Sequence, residues 1–218
     1  MEQIALKSSL KNLWELESMY EFLVTKEELF VMFEMQEELN IKYNGTEWRK
    51  VVKLGQAKIA MLEELSEFNR EIELNWKWWK NPSDRTYDEQ KALFELVDMI
   101  HFALLLCLRN LSVDSNKIYV EDVFKHDASR LMYGKVNDQE NQFIKSINLF
   151  LLDIDRQDAY YSICGLVNII NNGGILLDLK PGEIYRAYLL KNERNHERVD
   201  GGVMTGDYDK SKEKDLVL

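Results

Sequence analysis

Only two prolines, Pro82 and Pro181, interrupt this chain of 218 residues, and on either side of them apolar residues recur at spacings of three and four. That spacing is the period of a helix face, not of a strand. With only 10 glycines as well, the chain lacks the turn residues that many short strands would need. The pattern therefore predicts an all-α fold with no significant sheet. At this length one sizeable core is enough, and a second domain is not required.

Local signals divide the chain into helices. The period predicts a first helix over residues 9–23. Thr25 with Glu28 reads as a capping box opening a second helix, which runs to about Tyr43 and stops at Asn44-Gly45. A long third helix is expected over 48–75, ending before the aromatic-basic corner WKWWKNP, where Pro82 forbids simple continuation. Thr86 with Glu89 reads as a second capping box, opening a helix to about Leu111. Residues 112–136 are the least regular, with a short helix and loops. Helices over 138–152 and 156–170 then lead into the breaker NNGG at 171–174. Pro181 suits the start of a final helix running to about Arg198. The expected organisation is one catalytic domain, residues 1–198, and a polar tail, 199–218, that can close over phosphate.

The formal charge is −10, with no Lys/Arg stripe interleaved with aromatics, which argues against a nucleic-acid partner. A small phosphorylated substrate stays possible if metal ions neutralise it locally. Cys107 and Cys164 sit inside apolar runs and read as buried thiols, with neither disulfide nor metal spacing. The opening MEQIALKSSLKNL carries charge too early for a secretory signal, and the longest apolar run, 99–108, is too short to cross a bilayer. These features predict a cytoplasmic location with no membrane partner.

Two acidic pairs carry the chemistry. Glu64 and Glu67 in LEELSEF are three apart, as are Glu95 and Asp98 in FELVDMIHF. Residues at that spacing share a helix face, so each helix offers two adjacent carboxylates. Taken alone, Glu64 and Glu67 also fit a solvated face with Glu63, Arg70, Glu71 and Glu73. The second pair is more telling, because Leu93, Phe94, Leu96, Val97, Met99, Ile100 and Phe102 surround it, and acids in such a stretch need a compensating partner. Four converging carboxylates require positive charge between them, and hard oxygen ligands suit Mg²⁺, with Mn²⁺ as a substitute. The expected architecture is thus a compact multi-helix domain with a four-helix metal-binding core.

The order ExxE, an aromatic-basic WKxWK corner, then ExxD on an apolar helix resembles the all-α nucleoside triphosphate pyrophosphatases, and within them the dimeric dUTPases. MQEELN at 35–40, WKWWKN at 76–81, ELVDMIHF at 95–102 and KNERNHER at 191–198 are similar to that branch's elements, in its order. The resemblance implies Mg²⁺-dependent hydrolysis of dUTP, and of dUDP, to dUMP, with pyrophosphate released from dUTP. Such an activity keeps uracil out of DNA and supplies dUMP. Glu64, Glu67, Glu95 and Asp98 would hold the metal, with Glu67 also helping to deprotonate the attacking water. Gln36 and Asn40 would read the uracil edge, Trp76 and Trp79 would pack on base or sugar, and Lys80 of the same corner would also bind substrate. Lys191, Asn195 and Arg198 would contact phosphates. The stretch from Glu67 to Trp76 is about two residues longer than the family's form, which leaves Glu63 and Glu71 as alternatives on the first helix. In place of the family's NGY-like loop stands VDGGVMTGDYDK, with Gly201, Gly202 and Tyr208 as its counterparts. A homodimer is also implied, consistent with the apolar surplus at Leu13, Trp14, Phe22, Phe30 and Phe33.

Three other readings compete. A MazG-type pyrophosphatase could prefer another nucleotide such as dCTP, since an amide can flip to suit cytosine. A ferritin-like di-iron bundle needs several Glu and ExxH pairs, and only Asp98 with His101 comes near. A non-catalytic helical interaction protein would have no use for Glu95 and Asp98. His101 itself reads as a core histidine with a hydrogen bond.

Overall fold

The computed structural model describes residues 22–126, 138–213 and 215–218. Within them Thr25 starts α1 (Lys26–Asn44). Its hydroxyl accepts the Glu28 N–H at 3.2 Å while the Glu28 carboxylate accepts the Thr25 N–H at 2.7 Å, the reciprocal box that the sequence predicts. Gly45, at φ 76°, ends the helix in a conformation that side-chain-bearing residues avoid. There follow α2 (Trp48–Val51), α3 (Leu54–Glu71), α4 (Glu73–Trp76), α5 (Glu89–Asn110), α6 (Val113–His126), α7 (Gln139–Arg156), α8 (Ala159–Leu176) and α9 (Glu183–Asp200). Short 3₁₀ turns occur at Pro82–Asp84 and Lys210–Lys212. No strand occurs among the described residues, so the fold is all-α. The helix expected over 9–23 lies outside them except for Phe22 and Leu23, which are not helical.

Helix α5 is the axis of the fold. Fourteen of its 22 residues are buried, so it is apolar on almost every side. Helices α1, α3, α6, α8 and α9 all pack on it, and α7 covers α8. The core these helices share contains Trp48, Phe33, Phe68, Met61, Met99, Phe143, Phe150 and Tyr188, each fully buried. Among the described residues, no helix is long and apolar enough to cross a membrane.

Several local expectations give way to tertiary contacts. The long third helix is broken twice, at Val52–Lys53 and at Ile72. The Val52 carbonyl is taken by the Arg109 side chain of α5 at 2.9 Å, which satisfies the acceptor exposed by the break. Asp88, not Thr86, caps α5 by accepting the Lys91 N–H at 3.0 Å. Thr86 is occupied otherwise, its carbonyl accepting the Leu74 N–H at 3.1 Å. Residues 113–126, expected to be irregular, form a 14-residue helix, with the Ser112 hydroxyl accepting the Ser115 N–H at 3.2 Å.

The largest departure is NNGG, which breaks nothing: α8 runs through it to Leu176. Asn171, Asn172, Gly173 and Gly174 are all buried. A Cβ on Gly173 would lie 2.7 Å from Leu96, and one on Gly174 would lie 2.2 Å from Leu23. The glycines are there so that neighbouring side chains can touch the helix backbone, and packing overrides their poor propensity. Gly165 does the same toward α7, where a Cβ would meet the Phe150 Cβ at 2.9 Å and its Cα at 3.0 Å. Replacing Gly165 with alanine should therefore destabilise the protein by about 1–3 kcal/mol, despite the better helix former. Gly55 in α3 has nothing within 4 Å of its Cβ position. Gly55→Ala should stabilise by about 0.4–1 kcal/mol. Urea unfolding midpoints of the two variants would check the opposite signs.

Candidate active site

Glu95 and Asp98 project from one face of α5 toward Glu64 on α3. Oxygen atoms of these three carboxylates lie within 4.8 Å of one another. The register of the first acidic helix is thereby fixed in space: Glu64 joins the cluster, while Glu63 faces solvent. Glu67 stands one turn on and pairs with Arg70 at 2.7 Å, outside the cluster. It is still close enough to add repulsion at Glu64, Glu95 and Asp98.

Crowding acids in a half-buried cleft makes their protons hard to remove. Burial first, and then Asp98 and Glu95, push Glu64 up to about 7. Burial and Asp98 push Glu95 up to about 7, with Lys191 opposing. Asp98 is raised chiefly by its burial, again opposed by Lys191. The Lys191 ammonium reaches Asp98 from α9 at 2.5 Å, and both side chains are largely shielded from water. A cluster of oxygen donors short of positive charge has the chemistry of a hard divalent-cation site.

A pocket of about 420 Å³ opens beside this cluster, with Glu64 and Asp98 in its wall. Leu39, Val52, Ala57, Ala60, Phe102 and Leu105 give it apolar sides. Gln36 and Asn40 of α1 also line it. Both are buried, and the Gln36 amide donates to Asn40 Oδ1 at 2.8 Å. The His101 Nδ1 sits 2.6 Å from Gln36 Oε1. Asn195 and Arg198 line the pocket from α9, and Arg198 Nη1 donates to Asn195 Oδ1 at 3.1 Å.

Arg198 is also held by the chain beyond α9. Its Nε and Nη2 donate to the two oxygens of Glu213 at 2.8 and 2.9 Å. The Arg194 guanidinium and the Tyr208 hydroxyl donate to the same carboxylate at 3.1 and 2.8 Å. Arg198 and the other donors hold Glu213 down to about 2. Gly201 lies against the Tyr208 ring, where a Cβ would come within 2.5 Å. The tail residues singled out from sequence, Gly201, Gly202 and Tyr208, thus sit next to Arg198.

The aromatic corner is elsewhere. Trp76 donates its indole N–H to the Asn69 carbonyl at 2.8 Å and meets Trp79 edge-on, with centroids 5.4 Å apart. Lys80 lies 3.4 Å from Glu73. None of the three lines the pocket. Sequence reasoning also passed over pocket residues. Tyr43 and Gln56 carry no motif signal, whereas His101 had one, since it sits three residues after Asp98 on the face that α5 turns to the pocket.

A family model described as dUTPase matches residues 28–202. The match takes in all of α3 and α5, and every pocket-lining residue falls inside it. No curated protein matches the chain.

The raised carboxylates give a pH signature. The unfolded chain releases the Glu64 and Glu95 protons near 4.5, whereas the folded chain keeps them to about 7. Without a divalent cation, stability should fall as pH rises from about 4.5 through about 7, because the folded state then binds more protons than the unfolded one. Glu95→Gln should gain about 1 kcal/mol at pH 8, a figure reduced for its half-exposed setting. Melting curves across this range, with and without Mg²⁺, would show the slope and its reversal by the ion.

Proposed function

This chain belongs to the dUTPase family, and from that premise we propose that it hydrolyses dUTP in a Mg²⁺-dependent reaction and accepts dUDP as well. Water and dUTP give dUMP and pyrophosphate, while dUDP gives dUMP and phosphate. The outcome is a nucleotide pool with little dUTP available for incorporation into DNA, and a supply of dUMP. The observation that carries this reading is one pocket lined both by the buried amides of Gln36 and Asn40 and by Glu64 and Asp98, two of three converging carboxylates.

The base enters toward Gln36 and Asn40, and the apolar walls enclose the base and deoxyribose, excluding water. The triphosphate extends toward α3, α5 and α9. Glu64, Glu95 and Asp98 are the residues that would hold Mg²⁺ or, in its place, Mn²⁺; their oxygen-only donor set fits such an ion. When bound, the ion supplies positive charge to the phosphates and eases deprotonation of a water. Glu67, on the same face as Glu64 and outside the cluster, acts as the base that takes the water's proton. Lys191, Asn195 and Arg198 meet the phosphates near the C-terminal end of α9, where the helix dipole disfavours anions, so their side chains supply the attraction.

The catalytic unit is residues 1–198, with 199–218 closing over the phosphates. The chain works as a homodimer in the cytoplasm. Supporting a second copy are the exposed Ile59, Leu62, Leu74, Trp78 and Trp79 along α3 and the aromatic corner, an apolar set that a monomer would leave in water. Of the residues expected to form such a surface, Phe33 is fully buried and Phe22 packs on Phe124 within the chain. Trp79 thus serves assembly more readily than substrate contact. Light scattering at micromolar concentration should give the dimer mass.

Pyrophosphate or phosphate release from dUTP, dUDP, dCTP and dTTP with Mg²⁺ tests the activity. The first two should be turned over and the last two should not. Glu95→Gln and Asp98→Asn should each lower turnover by more than about 100-fold, the upper end of what is lost when a residue behind a metal ligand is removed. Equal rates on all four nucleotides would defeat the dUTP reading, and full activity in both variants would defeat the carboxylate site.

A further inference from the structure

The family match stops at residue 202, yet the chain beyond it turns back onto α9 and the pocket. Tyr208 lies over Gly201, where a Cβ would come within 2.5 Å of its ring, so a glycine lets the tail turn this closely. Glu213 follows the 3₁₀ turn at Lys210–Lys212. Beyond it, Leu216 packs on the core, and its carbonyl accepts the Gln90 amide at 3.3 Å. Glu213 is thus held on both sides along the chain. Its side chain is only 13% exposed, and a carboxylate so shielded needs the four donors that surround it. These are Arg198 Nε and Nη2, Arg194 Nη1 and the Tyr208 hydroxyl. They hold Glu213 down to about 2, so it stays ionised at any working pH.

What Glu213 leaves open on Arg198 decides its role. A guanidinium is planar and carries five N–H groups. Glu213 spans the edge formed by Nε and Nη2, and Asn195 Oδ1 accepts from Nη1. Among the described residues these bonds use three of the five, leaving one N–H on each Nη nitrogen. Nη1 and Nη2 stand together at the end of the plane, an edge that Glu213 does not span and whose fork suits phosphate oxygens. An anion standing in for substrate would cover that end. Charge points the same way, since two guanidiniums outnumber one carboxylate and the group stays attractive to a phosphate. Asp98 also feels Arg198, so an untethered guanidinium would be drawn toward the acidic cluster.

We propose that Glu213 is a positioning residue for the substrate phosphates: it clamps the Nε–Nη2 edge of Arg198 so that the Nη1–Nη2 end is presented to a nucleoside di- or triphosphate in the pocket. This rests on the nucleotide reading above, in which Arg198 meets phosphate, and extends the site to a residue outside the matched region.

Steady-state dUTP hydrolysis by the full chain with Mg²⁺ tests the clamp through the split between KM and kcat. Glu213→Gln keeps the shape of the side chain and removes its charge. It should raise the KM for dUTP about 10-fold, the low end of what losing an outer partner costs, while kcat changes by less than about threefold. Inhibition by pyrophosphate should weaken by a similar factor. A merely structural role would lower the amount of folded enzyme, and so kcat, without moving KM; circular dichroism melting reads the folded fraction. Glu213→Asp keeps the charge on a shorter arm and should raise KM by a smaller factor, so the test does not depend on one variant. Arg198→Lys should raise KM as well, and adding Glu213→Gln to it should cost little more, because Glu213 acts through the guanidinium. An unchanged or lowered KM in the folded Glu213 variants, or effects that multiply in the double variant, would overturn the clamp, while a raised KM in Arg198→Lys alone upholds the nucleotide reading. No dUTP turnover by the unaltered protein, or an unchanged KM in Arg198→Lys, would overturn both.

Discussion

Asp98 keeps an acidic side chain in α5, a helix buried over most of its length, and the Lys191 ammonium from α9 is what makes that position tenable. A lone carboxylate among Leu96, Val97, Met99 and Ile100 would have to stay protonated. The contact also ties the last helix to the central one beside the acidic cluster, so α9 cannot be placed independently of the site. From it the rest follows: α5 supplies the acids, α3 packs along α5 and adds Glu64, and α9 brings Asn195 and Arg198 to the same opening. α1 adds two buried amides to the wall. The pocket is therefore a product of how α1, α3 and α9 pack around α5, with Val52 added from the break between α2 and α3.

Its two ends obey different physics. At the carboxylate end charge is exposed enough to be neutralised by an ion, and neighbouring acids repel one another until it is. At the amide end every group is uncharged and almost without water, so recognition depends on the direction of individual hydrogen bonds. Between them lie the apolar walls, which carry no directional information and suit the flat body of a base. Glu213 adds an anion beside α9, where it engages Arg194 and Arg198.

The sequence is legible where a signal is local and its partners are close along the chain. The Thr25–Glu28 box lies within one helical turn, and the spacing of Glu95 and Asp98 in an apolar run points to a site before any contact is known. It misleads where long-range contacts decide. Thr86 and Glu89 have the letters of a capping box, but the Thr86 carbonyl is drawn to Leu74, and Asp88 takes over the cap. NNGG has the letters of a turn, yet Leu96 and Leu23 occupy the space beside its glycines and the helix continues. For the site, Gln36, Asn40, Asn195 and Arg198 come together in one pocket as the motif order suggested, whereas Trp76, Trp79 and Lys80 do not line it. His101 was passed over because an isolated histidine in an apolar helix looks like core. In three dimensions it lines the pocket, with Nε2 buried and unbonded among the described residues.

The glycines of α8 have a consequence for how the molecule moves. Alone, a helix with glycine at 165, 173 and 174 and asparagine at 168, 171 and 172 forfeits roughly 1 kcal/mol at each glycine, and would not hold together in water. It exists only when α5 and α7 are already pressed against it, and α5 in turn relies on it for one of its walls. These helices must therefore form and melt as one cooperative unit, with no partly open state at the level of the acidic helix. The segment after Asp200 stands outside this unit, since its turns are mostly exposed and its hold on α9 is largely ionic.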